Sequence, residues 1–198
     1  MLCFCKNKMK KVIINNRIFY ECDNCGFLKK NDVPTPSLEK ERYDHHICDE
    51  GYLKYMNNIF LSIKKYLNNG ISLDYGCGQI HALSDIMNSN NLECDYYDLF
   101  YYPDMPKRIY DNIILIEVFE HIEDIYSLLV SLKNMLNKNG KIIILTQVKP
   151  NNLDNWWYLR VITHISFVSE KTMNILAYNL NYKVEYDKEK SLFILSSI

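Results

Sequence analysis

Leu73-Asp-Tyr-Gly-Cys-Gly78 is the stretch on which the fold turns. It closes a short apolar run, Ile71–Tyr75, that reads as a strand, and it opens into His81–Asn88, which reads as a helix. At such a junction glycines let the backbone approach a ligand, and the helix N-terminus offers unpaired N–H groups. A tight structural turn would use the same two glycines, so the reading needs support from its surroundings.

That support lies on either side. Asp98 falls 20 residues beyond Gly78, at the end of the next strand, Glu93–Asp98, where an acid can accept both hydrogen bonds of a ribose diol. Gln79-Ile80 stand where a dinucleotide fingerprint needs its third glycine, while Asp74 sets a carboxylate in the turn. An acid there suits a cofactor carrying an ammonium or sulfonium rather than phosphates. S-adenosylmethionine fits; NAD fits poorly.

Further out, strands and helices alternate. Glu50–Leu67 places Leu53, Met56, Phe60, Ile63 and Leu67 at helical spacing and ends at Asn68-Asn-Gly70. Tyr110–Val118 and Lys141–Gln147 are apolar enough for strands buried on both faces. Between them Asp124 can cap a helix with Ile125, Leu128, Leu129, Leu132 and Leu136 inward and Gly140 as its stop. Ser169–Asn179 reads as a helix, and Lys183–Asp187 with Leu192–Ser196 as a closing hairpin. The expected class is α/β: a Rossmann-like, mostly parallel sheet with a C-terminal antiparallel hairpin.

The chain has 198 residues, 48% of them hydrophobic, and a net charge of −1. Its purest apolar runs are four residues long, against about 20 for a membrane helix, and it shows no signal-peptide pattern. No membrane partner and a cytoplasmic location are expected. Residues 1–30 carry a net +5 and the remainder a net −6. The basic head leaves RNA open as the lesser alternative to a small or carrier-bound substrate.

Four of the seven cysteines, Cys3, Cys5, Cys22 and Cys25, crowd into that head. An odd count without an export signal argues against a disulfide framework, and Cys48, Cys77 and Cys94 read as small buried hydrophobes. A piece this short needs a staple, and four thiolates around a structural Zn²⁺ would supply one. Cys22-Asp-Asn-Cys25-Gly26 has zinc-knuckle spacing; Cys3-Phe-Cys5 is tighter, which leaves His45 or His46 as a substitute ligand, or a metal-free reduced cluster, as alternatives. With Pro34 and Pro36 marking a linker, residues 1–36 form a zinc-ribbon-like module and 37–198 the main domain.

Over residues 38–198 the chain resembles class I S-adenosylmethionine-dependent methyltransferases. Leu73–Gly78, Tyr96-Tyr-Asp98, Ile116-Glu-Val-Phe-Glu-His-Ile122 and Leu132–Gly140 carry the likeness. More narrowly, it is similar to bacterial methyltransferase-domain proteins with a cysteine-rich N-terminal piece, through Arg42-Tyr43, Gly51-Tyr52, Asn155-Trp-Trp-Tyr158, Thr163-His164 and Phe167. The resemblance implies a reduced class I methyltransferase fold. It implies that Asp74, Tyr75, Gly76, Cys77 and Gly78 line the methionine end of the cofactor and that Asp98 holds its ribose. It further implies that Glu117 and Val118 border the cofactor and that His121 faces the reacting centre. Two features depart from the family: the missing third glycine, and a segment between Asp98 and Asp111 of only 12 residues, too short for the usual third strand. Leu99, Phe100 or Tyr101 would then face the adenine.

Methyl transfer is in-line displacement at an already activated carbon, so positioning contributes most, and a base helps where the acceptor must lose a proton. His121 and His164 are the candidate catalytic residues, since an imidazole titrates near pH 6.5. The long loop Gln147–Ser169 carries His164 and is expected over the carboxyl ends of the strands, where open sheets bind their ligands. Its two tryptophans and Phe167 could equally cap the core. A chain that keeps the cofactor site without turnover is the third reading.

Overall fold

The computed structural model describes all 198 residues. A six-stranded sheet contains β4 (Ser72–Tyr75), β5 (Cys94–Tyr97), β6 (Tyr110–Ile116), β7 (Leu136–Leu145), β9 (Tyr182–Asp187) and β10 (Leu192–Ser197). Its order is β5-β4-β6-β7-β10-β9. The first four strands pair in parallel, and the closing hairpin pairs antiparallel with β7. This is the α/β architecture that the alternating pattern leads one to expect.

The apolar runs of β6 and β7 explain the layering, because successive strand residues point to opposite faces. Ile113, Leu115, Ile142 and Ile144 join the core on one face. Ile114 and Ile143 join the core on the other. The first face is covered by α4 (Ile125–Lys133) and α5 (Glu170–Asn179), the second by α2 (Glu50–Ile63) and α3 (Ala82–Ser89). Asp124 and Ser169 cap α4 and α5 through hydrogen bonds to Ser127 N and Thr172 N. No helix is long and apolar enough to cross a membrane.

The head forms a second sheet, β1 (Lys10–Ile14), β2 (Arg17–Glu21) and β3 (Leu28–Lys30), all antiparallel. Its last strand pairs with β8 (Ser166–Phe167), far along the chain, through Leu28↔Phe167 and Lys29↔Ser166. Cys3, Met9, Cys22, Cys25 and Phe27 belong to the same buried cluster as Ile113 and Ile142.

Local expectations fail in four places. Gly140 does not stop α4; the helix ends at Lys133, and Leu136 and Gly140 lie within β7. Leu136 pairs with Tyr110 across a register shift before Asn112↔Lys141, so sheet pairing outcompetes one more helical turn through the poor formers Asn137 and Asn139. The helix from Glu50 stops at Ile63, a 3-10 turn follows over Lys64–Tyr66, and Leu53 is 46% exposed. The linker gives way at Pro36 to α1 (Pro36–Asp44), where the fixed proline φ suits a first helical turn. Cys48 is exposed rather than buried.

Candidate functional site

The glycine loop leaves β4 with its amides already committed. Gly76 N and Cys77 N both donate to Tyr97 O, at 2.8 and 3.1 Å, and Gly78 N donates to Asp98 Oδ2 at 3.1 Å. A loop so tied presents no nest of free N–H groups to a phosphate. It presents space and a negative charge instead. A Cβ on Gly78 would meet nothing within 4 Å, whereas one on Gly76 would lie 2.5 Å from Val118 Cγ2. Both glycines have positive φ, 79° and 70°, the left-handed region in which side chains are strained.

Asp74 lies beneath this loop, 3% exposed, with Oδ2 buried and without a partner. Desolvation is the main cause that lifts its carboxyl to about 7, with Asp98 adding repulsion against a backbone hydrogen bond at Ser84 that lowers it. An orphaned buried carboxylate oxygen is the feature a cationic ligand would relieve. Asp98 turns its carboxylate toward the loop: Oδ1 accepts from Phe100 N and Tyr101 N, Oδ2 from Gly78 N. Of its roughly four lone-pair directions, one remains for a hydroxyl. Tyr75 packs against Tyr97 at 5.1 Å, Cys77 is buried with its thiol pushed upward by desolvation, and Leu99 is 64% exposed.

In place of a third strand, the segment after Asp98 makes one bridge, Asp98↔Tyr102. Tyr102 Oη donates to Gln79 O, and Gln79 Nε2 donates to Tyr43 O and Tyr101 Oη. This packing replaces the missing third glycine, and α3 starts only after His81, itself left-handed at φ 35°.

After β6 the chain turns sharply at Glu117, whose φ of 52° is unusual for a side-chain-bearing residue and marks stored strain. The following 3-10 turn, Phe119–His121, buries Glu120 at 1% exposure. Thr146 Oγ1 donates to Glu120 Oε2 at 2.9 Å, and Tyr158 Oη donates to Glu117 Oε2 at 3.1 Å. Glu120 Oε1 has no hydrogen-bond partner and lies 3.9 Å from His164 Nε2. Desolvation first, then the Glu117 charge, pushes the Glu120 carboxyl well above the usual range.

His164 is 6% exposed, and its Nδ1 lies 3.2 Å from Tyr158 O. His121 Nδ1 lies 3.0 Å from Thr163 O and 3.0 Å from Tyr43 Oη, the latter contributed by α1. Since a carbonyl only accepts, each Nδ1 carries the hydrogen and each Nε2 keeps a lone pair. Burial holds both imidazoles neutral, lowering His121 to about 4 and His164 to about 3. The two rings meet edge to face at 4.8 Å.

The loop of His164 is fastened to the head. Lys30 N donates to Ile165 O, Lys30 Nζ to Ile162 O, and an Arg17 guanidinium N–H to Leu159 O. Tyr158, Leu159 and Phe167 pack with Phe19 and Leu28, while Trp157 is 57% exposed. The aromatic residues therefore join loop to head, and His164 sits beneath them. In the head itself Cys3 and Cys25 Sγ lie 3.4 Å apart, as do Cys5 and Cys22. All four sulfurs fall within 4.8 Å of one another. The hydrogen bond from Cys25 is the chief cause drawing the Cys3 thiol down to about 5. His45 and His46 lie elsewhere, beside Glu41 O and the Tyr43 ring.

The structure thus gathers Asp74, Gly76, Gly78 and Asp98 around one loop, with Val118 packed on Gly76, and His121 with His164 beside Glu120. Tyr43, Thr146 and Tyr158 also belong to this neighbourhood. Sequence reasoning passed over their roles because each comes from a different element and no spacing links them.

Against known proteins, no curated protein matches the chain. Among solved structures it is similar to 1,6-didemethyltoxoflavin-N1-methyltransferase of Burkholderia thailandensis, solved with S-adenosylhomocysteine bound, at TM-score 0.58 and 9% identity, covering 96% of this chain and 99% of that one. It is similar to a SAM-dependent methyltransferase of Thermotoga maritima at TM-score 0.52 and 11% identity, covering 82% and 96%. An O-methyltransferase family protein of Burkholderia thailandensis aligns at TM-score 0.55 and 8% identity, over 80% of this chain but 61% of that longer one. At these identities the likeness is one of fold. The family described as "Methyltransferase domain" matches residues 51–186, from α2 through β9, and this chain belongs to that family.

Proposed function

We propose that this chain transfers a methyl group from S-adenosylmethionine to a small or carrier-bound metabolite in the cytoplasm. The observation that carries the reading is the buried, unpartnered Asp74 carboxylate beneath a glycine loop whose amides are consumed by β5 and Asp98. A cation belongs there and a phosphate does not. S-adenosylmethionine, when bound, supplies a sulfonium-activated methyl group.

The chain's residues would divide the work as follows. Asp74, Tyr75, Gly76, Cys77 and Gly78 hold the amino-acid end; Asp98 offers its remaining lone pair to the ribose; Leu99, Phe100 and Tyr101 lie against the adenine. Glu117 and Val118 wall the hollow, with Val118 fixing the height of Gly76 by direct contact. His121 and His164 are the catalytic candidates, each keeping a neutral Nε2 lone pair in a tautomer held by Thr163 O and Tyr158 O. Because burial lowers both imidazoles well below neutral pH, their part is to shape the site as neutral groups rather than to take a proton from the acceptor.

In the head, Cys3, Cys5, Cys22 and Cys25 would hold a structural Zn²⁺. A tetrahedral site with Zn–S near 2.3 Å needs sulfurs about 3.8 Å apart, and the four thiols here lie within 4.8 Å of one another. The head (1–36) then serves the body (37–198) as a clamp on the His164 loop. Two of the head's cations are already engaged with the body: Lys29 with Glu123, and Lys30 with Ile162 O. Less charge is therefore free for phosphates than the net +5 suggests, which favours the small-molecule substrate over RNA.

Calorimetry with S-adenosylhomocysteine tests the reading. Wild type is expected to bind, and Asp98→Ala and Gly76→Val to lose binding; no binding by wild type, or unchanged binding in both variants, overturns it.

A further inference from the structure

Glu120, His121 and His164 pose a problem of charge and donors that hydrogen bonding does not solve. Both imidazoles spend their Nδ1 hydrogen on a backbone carbonyl. That is the arrangement seen around metal-ligating histidines, where a carbonyl fixes the tautomer and frees Nε2. Glu120 has a fully buried side chain; one oxygen takes the Thr146 hydroxyl, and the other faces His164 Nε2 at 3.9 Å without a partner. At 3.9 Å the two atoms are too far apart for a hydrogen bond, whichever of them carries a proton. A second carboxylate, Glu117, lies close by on Tyr158 Oη, and neither acid forms an ion pair with a Lys or Arg. Lys30, the nearest cation by its influence on His164, is tied to Ile162 O.

We infer that Glu120, His121 and His164 form a binding site for a divalent first-row transition-metal ion, separate from the four-cysteine cluster. Their ligand atoms lie within 4.8 Å of one another, and bonds of roughly 2.0–2.2 Å require them to close in by about an ångström or more. Two imidazoles and one carboxylate favour zinc, cobalt, iron(II) or manganese over magnesium or calcium. Three protein ligands leave coordination positions open, as catalytic rather than structural sites do. The backbone is already set for this: Ile165 N donates to Glu120 O at 2.9 Å, locking the His164 loop to the 3-10 turn. If the proposed methyl transfer holds, an acceptor oxygen or nitrogen would bind at the open position. The metal site itself does not depend on that reading.

The test is titration of the metal-free full chain with Co²⁺, followed by absorption. Two equivalents are expected, one with intense sulfur-to-cobalt charge transfer and one with weak d–d bands and no thiolate component. Glu120→Gln, which keeps the shape, and His164→Asn, which keeps a donor for Tyr158 O, should each lose only the second equivalent. The thiolate bands serve as their fold control, or circular dichroism where wild type shows no such bands. Absence of a non-thiolate equivalent in wild type overturns the inference. So does its retention, at unchanged affinity, in both folded variants, and so does a wild-type infrared band of a protonated Glu120 carboxyl that persists under saturating Co²⁺. The titration contains no cofactor, so its failure leaves the S-adenosylhomocysteine result standing, and the reverse also holds.

Discussion

Asp74 is where a single residue sets behaviour that can be measured. Its carboxyl sits at about 7 in the fold against about 4 in the unfolded chain. The folded state therefore holds the extra proton between those values, and the ligand-free fold loses stability as pH rises from about 4 through 7. A cationic cofactor favours the ionised form, so affinity for S-adenosylmethionine should rise as pH climbs from 6 to 8. Asp74→Asn should abolish binding at both pH values and stabilise the ligand-free chain at pH 8 by up to roughly 4 kcal/mol. Calorimetry and denaturant melts at pH 6 and 8 read both effects. The neighbouring glycines should behave differently from each other. Gly78→Ala adds left-handed strain of about 1–2 kcal/mol but its Cβ meets open space, whereas Gly76→Ala adds the same strain and drives Cβ into Val118. A chemical melt should place Gly76→Ala clearly below Gly78→Ala; equal midpoints would contradict the packing.

Among elements, the pairing of β3 with β8 matters most for the site. It was not legible from the sequence, because a two-residue strand in a long loop has no periodicity to read. Its partner strand, Leu28–Lys30, follows directly on the Cys22–Cys25 knuckle, and Cys25 O accepts from Ser169 Oγ and Thr172 Oγ1 at the start of α5. Disturbing the cysteine cluster should therefore loosen the His164 loop. In hydrogen exchange, Cys22→Ser is expected to deprotect Lys30, Ile165 and Ser166 amides before those of Ile113–Leu115. Deprotection of β6 first would contradict this linkage. The misreading at Gly140 belongs to the same scale: helix-stop signals are local, and pairing with Tyr110 overrode them.

Across the whole molecule, the head and the sheet share one buried cluster, in which the zinc-ligand candidates touch the same core as Phe193 and Leu195. A shared core makes for cooperative unfolding, so a single thermal transition is expected, with a midpoint that rises on zinc addition to the chelated protein. Phe193, fully buried and stacked on Tyr186 at 4.3 Å, should cost about 3–5 kcal/mol when replaced by alanine, and should lower that one transition rather than split it. Differential scanning calorimetry distinguishes the two patterns.

What the sequence determined by itself was whatever short-range order encodes. The apolar runs at Ile113 and Ile142 specify doubly covered parallel strands, the strand-to-strand spacing puts Gly78 and Asp98 within one hydrogen bond of each other, and the clustered cysteines come together in the head. Only the tertiary structure decided that Asp74 keeps an oxygen unpaired, that Glu120 faces His164, and that the head grips the loop over them. Those facts rest on strand register and on contacts between residues far apart in the chain. Burial and partnering depend on everything packed around a side chain, and no spacing along one segment records that.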